Sequence, residues 1–153
     1  MSVENAEEWT TAFGTMTDMK KSRHLPFAAC PCGSAQSYGA CCGYWHAGLV
    51  AGVHAATPET LMRSRYSAYV MELVDYLLAT WHPTTTPQAL RLEPCKWLGL
   101  EVRRGQMQDD EGLVEFVARC RVGGRAQRLH EVSRFVRHSG RWYYLDGQMI
   151  EDA

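Results

Sequence analysis

The hydrophobic period of this chain changes once, at Pro83, and that change limits the fold more than any other feature. Upstream, "TPETLMRSRYSAYVMELVDYLLATWHP" places Leu61, Tyr66 (or Arg65), Tyr69 and Leu73 at helical spacing, then Leu73, Tyr76, Leu77 and Trp81. Thr57 is a good N-cap, Pro58 suits the first helical position, and Glu59 complements the positive end of the helix dipole. The pattern slips between Leu73 and Asp75, so one long helix or two short ones, with Asp75 opening the second, satisfy it equally. After the connector "TTTPQALRLEPCK" the period becomes two. Leu98, Leu100 and Val102 alternate with Gly99, Glu101 and Arg103, and Val114, Phe116, Ala118, Cys120 and Val122 form the next apolar row. The turns "DDEG", "GG" and "HSG" separate four strands. Helices followed by a short-looped antiparallel meander define an α+β layout, in which a curved sheet folds over its helices and buries both.

A chain of 153 residues suits one domain with at most a small appendage, and buries roughly 70% of its unfolded surface without a covalent staple. Its formal net charge of −1 selects no partner. Seven arginines and one carboxylate, Glu131, fall between Arg119 and Arg141. Arginines on the solvent face of strands are the first reading, and a basic face for RNA or a ribosome is the sharper one. No apolar run approaches the ~18 residues of a membrane span. The acidic N-terminus lacks a secretory h-region, so a cytoplasmic protein is expected, in a compartment where structural disulfides are rare.

That compartment bears on "CPCGSAQSYGACCG", which packs Cys30, Cys32, Cys41 and Cys42 into thirteen residues. A disulfide staple, a redox centre and a metal site are the candidates. A reducing compartment disfavours the staple, and no C-x-x-C beside a βαβ pattern supports a redox pair. Four thiolates suit tetrahedral zinc, in a closed shell that leaves no position for water or substrate. Pro31 and the glycines at 33, 39 and 43 suit the tight bends of a small metal loop. The net charge of −2 on such a site calls for donors or cations, which Lys20, Lys21, Arg23 and His24 lie near enough to supply. His46, four residues after Cys42, is an alternative fourth ligand. Cys95 and Cys120 stand apart and read as small core residues.

The pattern C-x-C, eight residues, then C-C closely resembles the SEC-C motif, a small zinc-binding module. The resemblance assigns Zn2+ to Cys30, Cys32, Cys41 and Cys42 over residues 29–48, and implies docking onto a protein or ribosomal surface. Ala35 departs from the glycine frequent there and touches no ligand. The segments "LMRSRYSAYV", "YLLATWHP", "WLGLEV", "EFVAR", "EVSRF" and "GRWYYLDG" resemble, in order, the YchJ family of bacterial proteins. That family joins a SEC-C motif to a nuclear-transport-factor-2-like cone, here expected over residues 56–150. Residues 1–28 match neither pattern and are expected to form a poorly ordered or helical leader, with Met16 or Met19 as alternative starts. Many relatives carry a second SEC-C motif where this chain ends at "DGQMIEDA".

A cone of this kind implies a pocket. Leu129, Glu131, Ser133 and Phe135 share one face of the third strand, while His130, Val132, Arg134 and Val136 share the other. Nothing in the sequence says which face points inward. With the first face inward, Glu131 pairs with Arg63 or Arg65, and Tyr66, Trp81, His82 and Ser133 complete the pocket candidates. A satisfied buried ion pair ranks ahead of catalysis by Glu131 or His82, because no second carboxylate, nucleophile triad or phosphate loop accompanies them. The leading functional expectation is therefore a non-enzymatic zinc adaptor or binding protein, with a small enzyme or small-molecule binder as the alternative and RNA binding as the third.

Overall fold

The computed structural model describes residues 26–151. Residues 1–25 of the expected leader, with the basic run from Lys20 to His24, lie outside the described residues. A short 3-10 turn at Tyr38–Ala40 leads into α1 (Cys42–Gly48), followed by α2 (Pro58–Val70) and α3 (Val74–Ala79). Four strands complete the chain: β1 (Lys96–Gln108), β2 (Glu111–Val122), β3 (Arg125–His138) and β4 (Arg141–Met149). They form one antiparallel sheet in sequence order.

Local chemistry sets the helix boundaries. The Thr57 hydroxyl accepts the Thr60 amide at 3.1 Å, with Pro58 at the first turn. The break comes at Glu72, whose φ of 60° cannot continue a right-handed helix. There the Leu73 amide donates back to the Ala68 carbonyl at 2.8 Å, closing α2 so that α3 starts in a new direction. Two helices are therefore formed.

The sheet follows the expected meander, with register shifts at Trp97/Gly99 and Val102/Arg104 on β1 and at Arg134/Phe135 on β3. The β2–β3 hairpin turns on Gly123 and Gly124, both at positive φ, the geometry of a two-residue turn whose twist matches the strands. On β2, Val114, Phe116, Ala118 and Cys120 are buried as the alternation predicts, and Val117 on the opposite face is buried too. On β1 the ladder to β2 slips between Trp97 and Gly99. The extra residue, Leu98, is 45% exposed, and Trp97 packs inward in its place. The expected inward row of Leu98, Leu100 and Val102 is corrected at its first member.

One cluster joins the cysteine motif to the rest. Cys30, Cys32 and Cys42 are buried with Leu61, Met62 and Tyr66 of α2 and with Val114, Phe116, Phe135 and Trp142 of the sheet. A smaller cluster of Ala68, Tyr76 and Leu77 lies under Leu90 and Leu92. Helix α2 therefore sits between two layers, with the motif on one side and the sheet on the other.

Candidate metal centre and cone cavity

The four sulfur atoms of Cys30, Cys32, Cys41 and Cys42 lie within 4.8 Å of one another. Cys32 and Cys41 are separated by 3.6 Å, and Cys41 and Cys42 by 4.0 Å. A tetrahedron with metal–sulfur bonds of about 2.3 Å has edges of about 3.8 Å, so the donor set fits a closed four-sulfur centre. Local backbone bonds shape it: the Cys30 amide donates to the Gln36 carbonyl and the Tyr38 amide to Ala28. Hydrogen bonds from Cys30 and Cys42 hold the Cys32 thiol below the ordinary range, against the opposing effect of burial. The same contacts and burial push Cys42 up.

Helix α2 grips this loop at three points. Arg63 donates from Nη1 to the Cys32 carbonyl at 3.0 Å and from Nε to Glu59 at 3.1 Å. The Ser67 hydroxyl lies 3.7 Å from the Cys30 sulfur. His46 of α1 donates from Nε2 to the Ser64 carbonyl at 2.8 Å, because a carbonyl can only accept. Its Nδ1 must then accept from the Tyr38 hydroxyl, 2.7 Å away. With both nitrogens engaged, His46 is a clasp and lies outside the sulfur cluster, which corrects its alternative placement as fourth ligand. Burial lowers the His46 pKa, consistent with this neutral tautomer. Burial opposes the charge on Arg63 as well, but Glu59 and Cys32 outweigh it and hold the guanidinium above its ordinary value. Among the described residues, the cation beside the cysteines therefore comes from α2.

Beyond the opposite face of α2 lies a cavity of about 260 Å³. Met62, Arg65, Tyr66 and Tyr69 of α2 form one wall, and Trp97 of β1 with Phe116 and Ala118 of β2 form the next. Strand β3 contributes Leu129, Glu131, Ser133 and Phe135, and β4 contributes Tyr144. The face of β3 that carries Glu131 is thus the inner one. Ser133 donates to Glu131 Oε2 at 3.0 Å and Tyr144 to the same oxygen at 3.4 Å. Burial, reinforced by Glu131, pushes the Tyr144 pKa up and keeps that hydroxyl a donor.

The expected ion pair does not form. Arg65 is 5% exposed, and its Nη1 donates to the Leu77 carbonyl at 2.8 Å and to Thr80 at 2.7 Å. Its guanidinium carbon lies 4.9 Å from the Trp81 ring centre and 4.5 Å from that of Tyr144. These contacts seat the cation at the α3 end, and among the described residues Glu131 has no ion pair at 4.0 Å or less. Arg63 lies at the metal centre instead. Trp81 backs Arg65 without lining the cavity. His82 Nδ1 accepts from the Thr84 hydroxyl at 2.8 Å and from its amide at 3.2 Å, with the ring 5.7 Å from that of Tyr143, also away from the cavity. Arg65, Tyr66, Glu131 and Ser133 are brought together, whereas Arg63, Trp81 and His82 are not.

Sequence reasoning missed Tyr69, Trp97 and Tyr144 as cavity residues. Tyr69 follows Met62, Arg65 and Tyr66 at helical spacing, a signal that was present, while Trp97 was hidden by the bulge. Of the remaining thiols, Cys120 is buried and Cys95 is half-buried at the foot of β1. Several sheet arginines meet carboxylates: Arg134 holds Asp146 through two bonds of 2.7 Å, Arg137 holds Asp110 at 3.0 Å, and Arg119 reaches Glu101 at 4.0 Å. No helix among the described residues is long and apolar enough to cross a membrane.

A buried four-cysteine loop locked to helices that close an antiparallel sheet defines a SEC-C motif joined to a nuclear-transport-factor-2-like cone. Residues 57–147 match the family described as "YchJ, middle NTF2-like domain". The UPF0225 protein of Bordetella parapertussis is 55% identical over 136 residues, covering 86% of this chain and 99% of the relative. That of Chromobacterium violaceum is 56% identical over 134 residues, covering 83% and 97%. The solution structure of a SEC-C motif containing protein from Rhodopseudomonas palustris superposes with a TM-score of 0.71 at 37% identity, over 80% of this chain and 98% of that one. A crystal structure from Psychrobacter arcticus gives 0.69 at 28% identity, over 84% and 86%. The chain belongs to the YchJ family.

Proposed function

We propose that the protein is a non-enzymatic binding protein in which a structural zinc ion fixes the motif to α2 and the cone cavity receives a small ligand. The cavity itself carries this reading: a carboxylate, a serine and several aromatic rings surround a space just under the ~300–1,000 Å³ usual for small-molecule sites. Zinc is supported by the sulfur separations and by a candidate donor set that, among the described residues, consists of the four cysteines, with His46 committed elsewhere. A closed centre performs no chemistry of its own. His82, one of the two residues considered for proton transfer, is turned away from the cavity.

Metal analysis should return about one zinc per chain, retained in His46→Gln and lost in Cys32→Ser. Metal-free folded protein with four reactive thiols would overturn that assignment. For the cavity, NMR screening of the zinc-loaded chain with small aromatic fragments should shift the amides of Leu129, Glu131 and Ser133. Ala118→Leu, which fills the cavity, should abolish those shifts. Fragment shifts that map elsewhere, or that survive Ala118→Leu, would contradict the reading.

Docking of the motif onto a protein or ribosomal surface is a second reading, favoured by the exposure of Phe27, Tyr44 and Val50 around the buried cysteines. Polar substitution of all three should then reduce recovery of a bound partner while zinc content stays unchanged. Equal recovery would remove that reading.

A further inference from the structure

The two oxygens of Glu131 are not equivalent. Ser133 and Tyr144 both donate to Oε2. No donor among the described residues meets Oε1. A carboxylate in a cavity wall with one oxygen already satisfied by its wall neighbours leaves the other as the open acceptor, and a bonding group that enters must bring a hydrogen. The surroundings narrow the class further. Tyr66, Tyr69, Trp97, Phe116, Phe135 and Tyr144 line the same space, and aromatic faces favour an ammonium group over an anion. The one cation of the wall, Arg65, spends its Nη1 on Leu77 and Thr80 and packs on the Trp81 and Tyr144 rings. It is therefore poorly placed to receive a ligand carboxylate.

Gly147 explains how Glu131 reaches this position. It pairs with Ser133 across β3 and β4, and a Cβ built on it would overlap the Glu131 carboxylate. Glu131 thus lies over bare backbone at a site where any larger residue would push it aside.

Resting on the binding-protein reading, we infer that the cavity selects a small organic amine with an apolar body, its N–H donated to Glu131 Oε1, and that Gly147 is the positioning residue for this contact.

Three probes of one shape test it on the zinc-loaded full chain: benzylamine, benzyl alcohol and benzoate, titrated by NMR at fixed pH. Benzylamine should bind at least tenfold more tightly than benzoate, with the largest shifts at Glu131, Ser133 and Tyr144. Glu131→Gln should weaken benzylamine about tenfold, as expected for losing a charged hydrogen-bond partner, and leave benzyl alcohol nearly unchanged. Gly147→Ala should lower the benzylamine-to-benzyl-alcohol affinity ratio in the same direction, an effect that a purely structural glycine would not produce. Benzoate binding as tightly as benzylamine, or an amine affinity indifferent to Glu131→Gln, would overturn the ligand class while leaving the cavity a binding site. Failure of all three probes to enter would overturn the class and the binding-protein reading together.

Discussion

Helix α2 turns two different chemistries to its two sides. Toward the cysteine loop it offers Arg63, the Ser64 carbonyl and Ser67, polar groups that meet backbone, imidazole and sulfur in turn. Toward the sheet it offers Met62, Arg65, Tyr66 and Tyr69, which line the cavity. Arg63 and Arg65 are separated by one residue, yet about 200° of helical rotation sends one to the thiolates and the other to the cone. Arg63 is partly exposed and supports a charged centre, whereas Arg65 is buried and closes a wall. The same side chain is thus an electrostatic partner in one region and a packing element in the other.

Substitution of each arginine is the strongest way to break that contrast. Arg65→Ala removes a buried side chain and frees the acceptors at Leu77 and Thr80, so urea unfolding should show a loss of about 3 kcal/mol at saturating zinc. Arg63→Ala should cost far less stability under the same conditions, but weaken zinc about tenfold in a chelator competition. Equal effects in both assays would mean that the two faces are not specialised.

His46 tests the grip on the motif. His46→Phe leaves the Tyr38 hydroxyl without its partner and strips the Ser64 carbonyl of the bond it accepts beyond the helical one, and should cost about 2 kcal/mol, with zinc stoichiometry unchanged. The pH dependence has a definite sign. Because the folded-state pKa of His46 is depressed by burial, the unfolded chain takes up the proton first as pH falls below about 6.5. This contribution is present at neutral pH and lost on acidification, so wild type should lose more stability than His46→Phe between about pH 7.5 and 6. A parallel decline would assign the pH effect elsewhere.

The smallest expected effect belongs to the helix start, which serves both faces. Thr57→Ala removes the cap on the Thr60 amide and should cost about 1 kcal/mol without changing zinc affinity or cavity selectivity.

How much of this was readable in the sequence depended on whether a periodic rule survived. The cap at Thr57, the two-glycine hairpin and the alternation of β2 obey local rules, and these elements emerged as expected. The thirteen-residue spacing likewise places the four cysteines within reach of one metal. The bulge at Leu98 reversed the parity of β1 and concealed Trp97, because an inserted residue leaves no mark on composition. The division of labour between Arg63 and Arg65 was equally hidden: both satisfy helical spacing for some neighbour, and only the two-sided packing of α2 separates them. His82 illustrates a third limit. Its neighbour Trp81 backs the cavity wall, but the chain leaves α3 just there and carries the imidazole outward to Thr84.

The central claim is that metal centre and cone are one folding unit joined through α2. It is tested most directly by amide hydrogen exchange on the full chain before and after zinc is removed with a chelator. Removal should lower protection in α2 and in the β2 and β3 segments along with residues 29–48, since the cysteines share a core with Leu61, Phe116 and Phe135. Loss of protection confined to residues 29–48, with β2 and β3 exchanging as before, would contradict it.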